Sequence, residues 1–177
     1  MIRRIVFIAC LLLLMPACAP VISKTTMNTV DRRISFPALQ QRPDAYRGRV
    51  VLLGGQIIET TVREQETWIE VLEKQLDAQK RPSDKDHSSG RFLVRFQGFL
   101  DPAIYARGRK LTVAGRVNGQ VVRPINQIDY IYPVLTAQEH YLWKPDESFS
   151  MPRIGFGIGG SVGSGGSRGG IGVGVGF

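Results

Sequence analysis

The stretch RVVLLGGQIIETTV, residues 49–62, decides the fold of this 177-residue chain. Apolar residues lie on both sides of the pair Gly54-Gly55, and the whole stretch has the length of a long strand. Two glycines inside a strand usually mark a bulge or a sharp bend. A small barrel needs such bends to turn its corners. The stretch therefore predicts a curved strand in a mainly β domain.

Further strands are predicted on both sides of a polar loop at residues 75–90. The clearest alternation is in the segment RFLVRFQ, where Phe92, Val94 and Phe96 share one face and Leu93 is the exception. Pro133 lacks a backbone N–H and is expected at a sheet edge or a strand end. The predicted strands cover residues 67–74, 91–97, 109–117, 120–123 and 128–134.

Two local signals indicate how these strands are connected. Asp101-Pro102 has the pattern of a helix N-cap followed by proline at the first helical position, which predicts a short helix ending at Gly108. Asn118-Gly119 is a strong signal for a two-residue hairpin. The resulting order of elements is compatible with a small antiparallel OB-like barrel containing one short helix. A β-sandwich, or an open antiparallel sheet backed by the helix, stays as an alternative.

The N-terminus has the pattern of a secretory signal. A positive start at residues 1–4 precedes an apolar run of 11 residues, which is too short to cross a bilayer core of ~30 Å. The run Leu-Met-Pro-Ala-Cys at residues 14–18 resembles a bacterial lipobox, with Met15 and Pro16 where leucine and a small residue are usual. We therefore expect cleavage before Cys18 and lipid attachment to its thiol. Cys10 is a poorer acceptor because fewer apolar residues precede it.

The chain is expected to have four parts. Residues 1–17 would form the signal peptide, 18–33 the lipidated N-terminus and a polar tether, 34–150 the β-rich domain, and 151–177 a glycine-rich tail. The last 24 residues contain 12 glycines, and much of this segment alternates glycine with apolar residues. Such a tail is expected to be a low-complexity segment. The alternative is edge-on pairing with another chain or contact with a membrane surface.

The charge balance indicates the kind of partner. The mature chain would keep 21 Lys and Arg against 15 Asp and Glu. This surplus favours anionic partners such as lipid head groups or lipopolysaccharide. A basic surface with no specific partner is the alternative. We expect no nucleic-acid partner because export separates the protein from nucleic acid, and the oligomeric state is open.

The sequence contains no pattern of catalytic or metal-ligating residues. His87 lies in the polar loop near Asp84 and Asp86, and His140 follows Glu139. Neither group has the ligand spacing of a metal site, and no nucleophile elbow or phosphate loop is present. We therefore expect no enzyme activity, cofactor or metal.

Aromatic and basic residues of the predicted strands could form a binding surface. Together with the basic residues Arg91 and Arg95, six aromatic residues have the composition of a stacking platform: Trp68, Phe92, Phe96, Tyr130, Tyr132 and Trp143. The alternative is that most aromatic residues are core. Arg91, Arg95 and Trp68 are the predicted ligand-binding residues, and Cys18 is the predicted lipidation site.

Three stretches resemble the Slp family of outer-membrane lipoproteins. They are residues 43–48 leading into 53–58, residues 98–105 with the run Gly-Phe-Leu-Asp-Pro, and residues 111–119. With the signal segment and residues 141–143, the resemblance covers most of residues 1–150. It implies a lipid-anchored protein of the outer membrane that is linked with starvation or envelope stress. It implies no enzymatic activity and assigns a functional position only to Cys18.

Three functions follow as hypotheses. The first is a non-enzymatic envelope lipoprotein whose barrel binds or scaffolds another envelope component. The second is a module that binds anionic glycans or lipid head groups. The third, and the least favoured, is an envelope enzyme.

Overall fold

The computed structural model describes residues 20–145, 155–157 and 172–174. The predicted signal peptide and Cys18 lie outside these residues. The chain divides into two compact units, Met1–Lys144 and Pro145–Phe177. The first unit contains the barrel and the helical segments that precede it.

In the described part of the chain, two short helices and one 3₁₀ helix precede five long strands. The helices are α1 (Lys24–Thr29) and α2 (Phe36–Gln41), and the 3₁₀ helix is Pro43–Tyr46. The barrel strands are β1 (Val50–Val62), β2 (Glu66–Glu73), β3 (Arg91–Gln97), β4 (Lys110–Ile125) and β5 (Ile128–Leu142). Two short strands of the second unit are β6 (Gly155–Gly157) and β7 (Gly172–Gly174).

The five long strands close into a barrel in the order β1-β2-β3-β5-β4. All neighbouring pairs are antiparallel except β3 and β5, which are parallel. The small OB-like barrel predicted from the sequence is therefore confirmed, with one parallel pair in an otherwise antiparallel sheet. A closed barrel also excludes the β-sandwich and the open sheet.

The core fills the barrel and continues under α2. Phe92, Val94 and Phe96 all point inward, as the alternation predicts. Phe36 of α2 packs on Phe92 with ring centroids 5.9 Å apart, next to the start of β3. The fully buried barrel residues also include Ile57, Ile69, Val71, Leu111, Val113 and Leu135.

The glycine pair of β1 lies at a point of close approach. The register of β1 shifts after Ile57, so the bulge comes three residues later than Gly54-Gly55. A side chain at Gly55 would meet the backbone carbonyl of Leu72. These glycines therefore let β1 pair closely with β2 on one side and with β4 on the other. The register shift of β1 lies a few residues further along the strand.

The single helix predicted after Asp101 is wrong. Asp101 does cap the segment, since its carboxylate accepts from the N–H of Ala103 at 2.8 Å, and its carbonyl accepts from Tyr105 N at 2.9 Å. The chain then turns away at Gly108, which has a φ of +88°. One turn supplies too few hydrogen bonds to continue as a helix against the cost of nucleation. The helices instead precede the barrel.

The hairpin predicted at Asn118-Gly119 is also wrong. β4 continues through Gly119, which has a φ of +105° and lies where the register with β5 shifts. The turn comes at residues 126–127, where Asn126 has a φ of +55°. Pro133 pairs with Gln120 before β5 meets β3, so it lies on a part of β5 that has one neighbour, as a sheet-edge position requires.

Residues 20–33, part of the predicted tether, contact the barrel. Ile22 is 2% exposed, and Ser23 caps α1 by accepting from the N–H of Thr26. Asp31 N donates to Val50 O at 2.8 Å. Across residues 20–145, 155–157 and 172–174, no helix has the length and apolar character needed to span a bilayer.

Within the glycine-rich tail, the described residues form a two-stranded antiparallel sheet. Phe156 pairs with Val173, flanked by two glycine pairs. The remaining tail residues lie outside the described part of the chain, so contact of the tail with another chain or a membrane stays a prediction.

Candidate functional site

The predicted binding residues share the outer face of β2 and β3. Trp68 lies directly opposite Arg95 in the register of the two strands, and Arg91 lies opposite Leu72. Alternate residues of a strand point to opposite faces, so residues 66, 68 and 70 face outward while Thr67 and Ile69 fill the barrel. The structure therefore brings Trp68 and Arg95 together and places Arg91 further along the same face.

An apolar cluster outside the barrel supports this face. Leu93, the exception in the alternation of β3, is 2% exposed because it packs against Tyr132 and Val134 of β5. Trp68 and Val121 pack on the edge of the same cluster. The long β4–β5 hairpin thus covers part of the outer surface of the barrel. The apolar cluster of Leu93, Tyr132 and Val134 packs against the indole of Trp68 and fixes its position.

Two arginines contact the ring of Trp68. The guanidinium carbon of Arg63 is 5.0 Å from the ring centroid, and that of Arg123 is 5.6 Å away. These distances are within the range of cation–π attraction. The indole N–H donates to Glu66 at 2.6 Å. We call the surface formed by Arg63, Glu66, Trp68, Arg95 and Arg123 the Trp68 surface.

Arg91 is occupied by an ion pair. Its guanidinium donates to Glu70 Oε1 at 2.8 Å, and Tyr132 Oη donates to the same oxygen at 3.2 Å. The bond to Glu70 raises the pKa of Arg91, and burial raises the pKa of Tyr132. Because Glu70 already neutralises its charge, Arg91 offers less attraction to an anion than its sequence position indicates.

Arg95 is more accessible and more loosely paired. Its Nε lies 3.8 Å from Glu66 Oε2, its Nη2 donates to Thr136 at 3.2 Å, and the side chain is 40% exposed. An open cleft beside it is lined entirely by polar side chains from β2, β3 and the β1–β2 turn. The cleft is lined by Arg63, Glu64, Gln65, Glu66, Arg95 and Gln97. Both charge signs are present, which suits a polar ligand better than a bare anion.

Sequence reasoning missed Arg63 and Arg123. Arg63 follows β1 directly, while Arg123 lies on β4, 55 positions beyond Trp68 in the chain. Arg63 is brought to Trp68 by the short β1–β2 turn, whereas no local pattern links Arg123 to Trp68, because their proximity depends on how the β4–β5 hairpin folds over the barrel. Both acidic partners, Glu66 and Glu70, alternate with Trp68 on β2 and could have been recognised from that spacing.

His140 lies beside an end of the barrel core. Its Nε2 is 2.8 Å from the hydroxyl of Tyr105, and its ring meets Phe96 edge-on at 4.9 Å. Burial lowers the pKa of His140, while Glu139 opposes this effect. Burial also raises the pKa of Tyr105. In the described part of the chain, no three His, Cys, Asp or Glu side chains are placed to hold a metal ion.

Two of the three family-like stretches contact each other. Arg47 donates to Asn118 O, and Gly48 N donates to Val117 O at 2.9 Å. A side chain at Gly119 would collide with the guanidinium of Arg47. The 3₁₀ helix is thus attached to β4 where β4 bulges.

The third stretch is held by the buried hydroxyl of Thr67. It donates to Gly98 O at 2.9 Å and accepts from Leu100 N at 3.0 Å. All three stretches therefore serve the folding of the barrel. None of them supplies a residue of the Trp68 surface.

A lipobox-like run ahead of a small closed barrel is the arrangement expected of a lipoprotein of the bacterial envelope. The chain belongs to the outer membrane lipoprotein Slp family, which matches residues 15–156. The family identified from sequence resemblance is confirmed. The protein is accordingly a lipid-anchored protein of the outer membrane.

Individual relatives agree with this assignment. An uncharacterized protein of Haemophilus influenzae is 36% identical over 59% of this chain and 57% of its own length. Outer membrane protein Slp of Escherichia coli is 30% identical over 66% of this chain and 61% of its own length. Uncharacterized lipoprotein YeaY of Escherichia coli is 29% identical over 62% of this chain and 56% of its own length. The chain thus spans less than two thirds of the length of these relatives, and no solved structure matches it.

Proposed function

We propose that this protein is a non-enzymatic lipoprotein whose barrel binds another component of the envelope through the Trp68 surface. The observation that carries the proposal is the open polar cleft beside a fixed indole. Glu66 and Arg95 present a hydrogen-bond acceptor and donors there from strands β2 and β3, and Arg63 adds donors from the β1–β2 turn. Rigid strands hold such groups more precisely than loops do.

The described residues of the cleft support binding more than catalysis. Catalysis of group transfer needs a nucleophile or a general base within hydrogen-bond reach of a reacting group. The cleft contains arginine, glutamate and glutamine, and Glu66 is already bonded to Trp68. His140 packs against Phe96 and Tyr105 beside an end of the barrel core. An enzyme is therefore the least favoured of the three functions.

The anchor of the proposed lipoprotein is lipid on Cys18. One acyl chain binds a membrane only marginally, whereas two or more hold a protein stably. Mass spectrometry of the native protein should find a chain that begins at Cys18 and carries lipid. Cys18→Ala should release the protein from membranes, and the control Cys10→Ala should leave it bound. An unmodified chain that retains its leader would overturn the anchor.

The test of the binding function is co-purification from membranes in mild detergent. We expect an envelope protein to be recovered with the native chain and lost with Arg95→Glu. Lys85→Glu is a control, because it changes the same charge in the exposed polar loop. Equal recovery of the partner with both variants would count against the Trp68 surface.

A second candidate ligand is an anionic glycan or lipid head group, such as lipopolysaccharide. The exposed guanidinium of Arg95 favours it, while the neighbouring carboxylates Glu64 and Glu66 oppose it. Binding to lipopolysaccharide should weaken as salt is raised, because exposed charges are screened. Absent or salt-insensitive binding would exclude this ligand.

A role in starvation or envelope stress is proposed from the family resemblance. Abundance of the protein should rise in starved cells relative to growing cells. A deletion strain should then survive starvation less well. Constant abundance together with unchanged survival would remove this part of the proposal.

A further inference from the structure

An apolar groove lies where the described chain begins. We call it the N-terminal groove; its volume is about 430 Å³, and its lining includes Pro20, Val21, Lys24, Met27, Lys80 and Trp143. Its walls are the start of the chain with α1, the loop at residues 78–80, and the end of β5. It is separate from the polar cleft of the Trp68 surface, with which it shares no lining residue.

The buried hydroxyl of Thr112 bonds to residues of two walls of this groove. Thr112 is fully buried; its hydroxyl donates to Lys80 O at 2.7 Å and accepts from the indole N–H of Trp143 at 2.9 Å. The guanidinium carbon of Arg81 lies 5.1 Å from the centroid of the Trp143 ring. Trp143 is therefore held half-buried, with a cation beside it.

The third wall, formed by the start of the chain and α1, is attached directly to the barrel. Ile22 is 2% exposed, and the next residue, Ser23, donates to Glu139 from its backbone N–H and from its hydroxyl, at 2.8 Å each. Ile22 is only four positions beyond Cys18 in the sequence. A chain of this length spans at most about 14 Å. A lipid on Cys18 would thus hold the groove close to the bilayer.

We propose that the N-terminal groove is the face with which the barrel docks on the phospholipid surface of the membrane. This inference rests on the proposed lipidation of Cys18. Tryptophan prefers the interface between lipid and water, and Lys24 and Lys80 bring positive charge to the level of anionic head groups. The methylene stems of lysines can lie along apolar surface while their ammonium groups reach the head groups. The barrel then has one orientation on the membrane.

The two tryptophans of the chain make this orientation measurable. Thr112, which binds Trp143, lies opposite Gly54, whereas Trp68 lies opposite Thr61, seven residues further along β1. Trp68→Phe leaves Trp143 as the only indole, and Trp143→Phe leaves Trp68. The lipidated full chain is reconstituted into vesicles of phosphatidylethanolamine and phosphatidylglycerol that contain brominated phospholipid, which quenches indole fluorescence at short range.

We expect several-fold stronger quenching of Trp143 than of Trp68. Lys24→Glu with Lys80→Glu should reduce the quenching of Trp143 while the protein still sediments with vesicles. Equal quenching of the two indoles, or no quenching of Trp143 in a lipidated protein that sediments, would overturn the docking face alone. A chain that lacks lipid and fails to sediment would overturn the anchor and, with it, this inference. Intact-mass measurement distinguishes these failures.

A second pair of variants tests the same face without changing either tryptophan. An environment-sensitive dye on Gln79→Cys, in the groove, should shift to shorter wavelength when the lipidated protein is on vesicles. Val122→Cys is the matched control, because Val122 is 52% exposed on the β4–β5 hairpin. Equal shifts at both positions would contradict a defined docking face.

Discussion

Ser23 and Glu139 join the start of the described chain to the last barrel strand, although 116 positions separate them in the sequence. Both the backbone N–H and the hydroxyl of Ser23 donate to the carboxylate. The hydroxyl of Thr26, followed by the groups of Ser23, lowers the pKa of Glu139. This carboxylate therefore holds α1 on the barrel.

Replacing Glu139 should detach this segment without unfolding the barrel. Glu139→Ala removes the acceptor of two hydrogen bonds at a partly exposed site, which we expect to cost about 1 kcal/mol. Hydrogen exchange should accelerate over residues 22–30 and stay unchanged in β3. Gln138→Ala is the control, since Gln138 is exposed on the same strand. Equal exchange in both variants would refute the attachment.

Burial of His140 should make stability depend on pH. The pKa of His140 is lowered in the folded state, so the unfolded chain binds the proton more readily. The free energy of unfolding should therefore fall as the pH drops below about 6.5, the ordinary histidine value. Urea titrations across this range should give a weaker dependence for His140→Gln than for the wild type. If His140→Gln keeps the full wild-type dependence, the assignment is wrong.

A methyl group at Gly55 should disrupt the pairing of β1 with β2. The Cβ would meet the backbone carbonyl of Leu72, which cannot move without breaking the strand pair. We expect Gly55→Ala to cost about 3 kcal/mol. Gly48→Ala is the control for backbone strain alone, because Gly48 has a φ of +80° and open space around it. We expect it to cost about 1 kcal/mol. A chemical denaturation series that ranks the two variants in the opposite order would contradict this explanation.

Truncating Leu93 should loosen the β4–β5 hairpin from the outer face. Leu93 is buried against Tyr132 and Val134, so Leu93→Ala leaves a cavity that we expect to cost about 2–4 kcal/mol. Val122→Ala, on the exposed part of the same hairpin, should change the stability by less than about 0.5 kcal/mol. Thermal unfolding measures both. A loss of stability for Leu93→Ala as small as that for Val122→Ala would mean that packing of the β4–β5 hairpin on the outer face of β2 and β3 contributes little to stability.

The alternation of apolar residues was sufficient to predict β2, β3 and their inward faces, whereas residues 109–117 and 120–123 belong to one strand and β5 extends to Leu142. Phe92, Val94 and Phe96 are buried as the period of two requires, because side-chain direction in a strand is a local property of the backbone. The family could likewise be recognised from residues that hold the fold, such as Gly48, which bonds to Val117, and Gly98, which bonds to Thr67. The lipobox-like run gave Cys18, and this site stays a prediction.

Only the tertiary structure decided where the chain turns and what surrounds Trp68. Asn118-Gly119 has the local chemistry of a hairpin, but Gly119 lies where β4 bulges against Arg47, and the strand continues to Ile125. Arg123 reaches the indole from a distant part of the chain, and Ser23 meets Glu139 in the same way. The sequence shows which residues can form a turn or carry a charge. Which residues they contact depends on how the strands pair when the barrel closes.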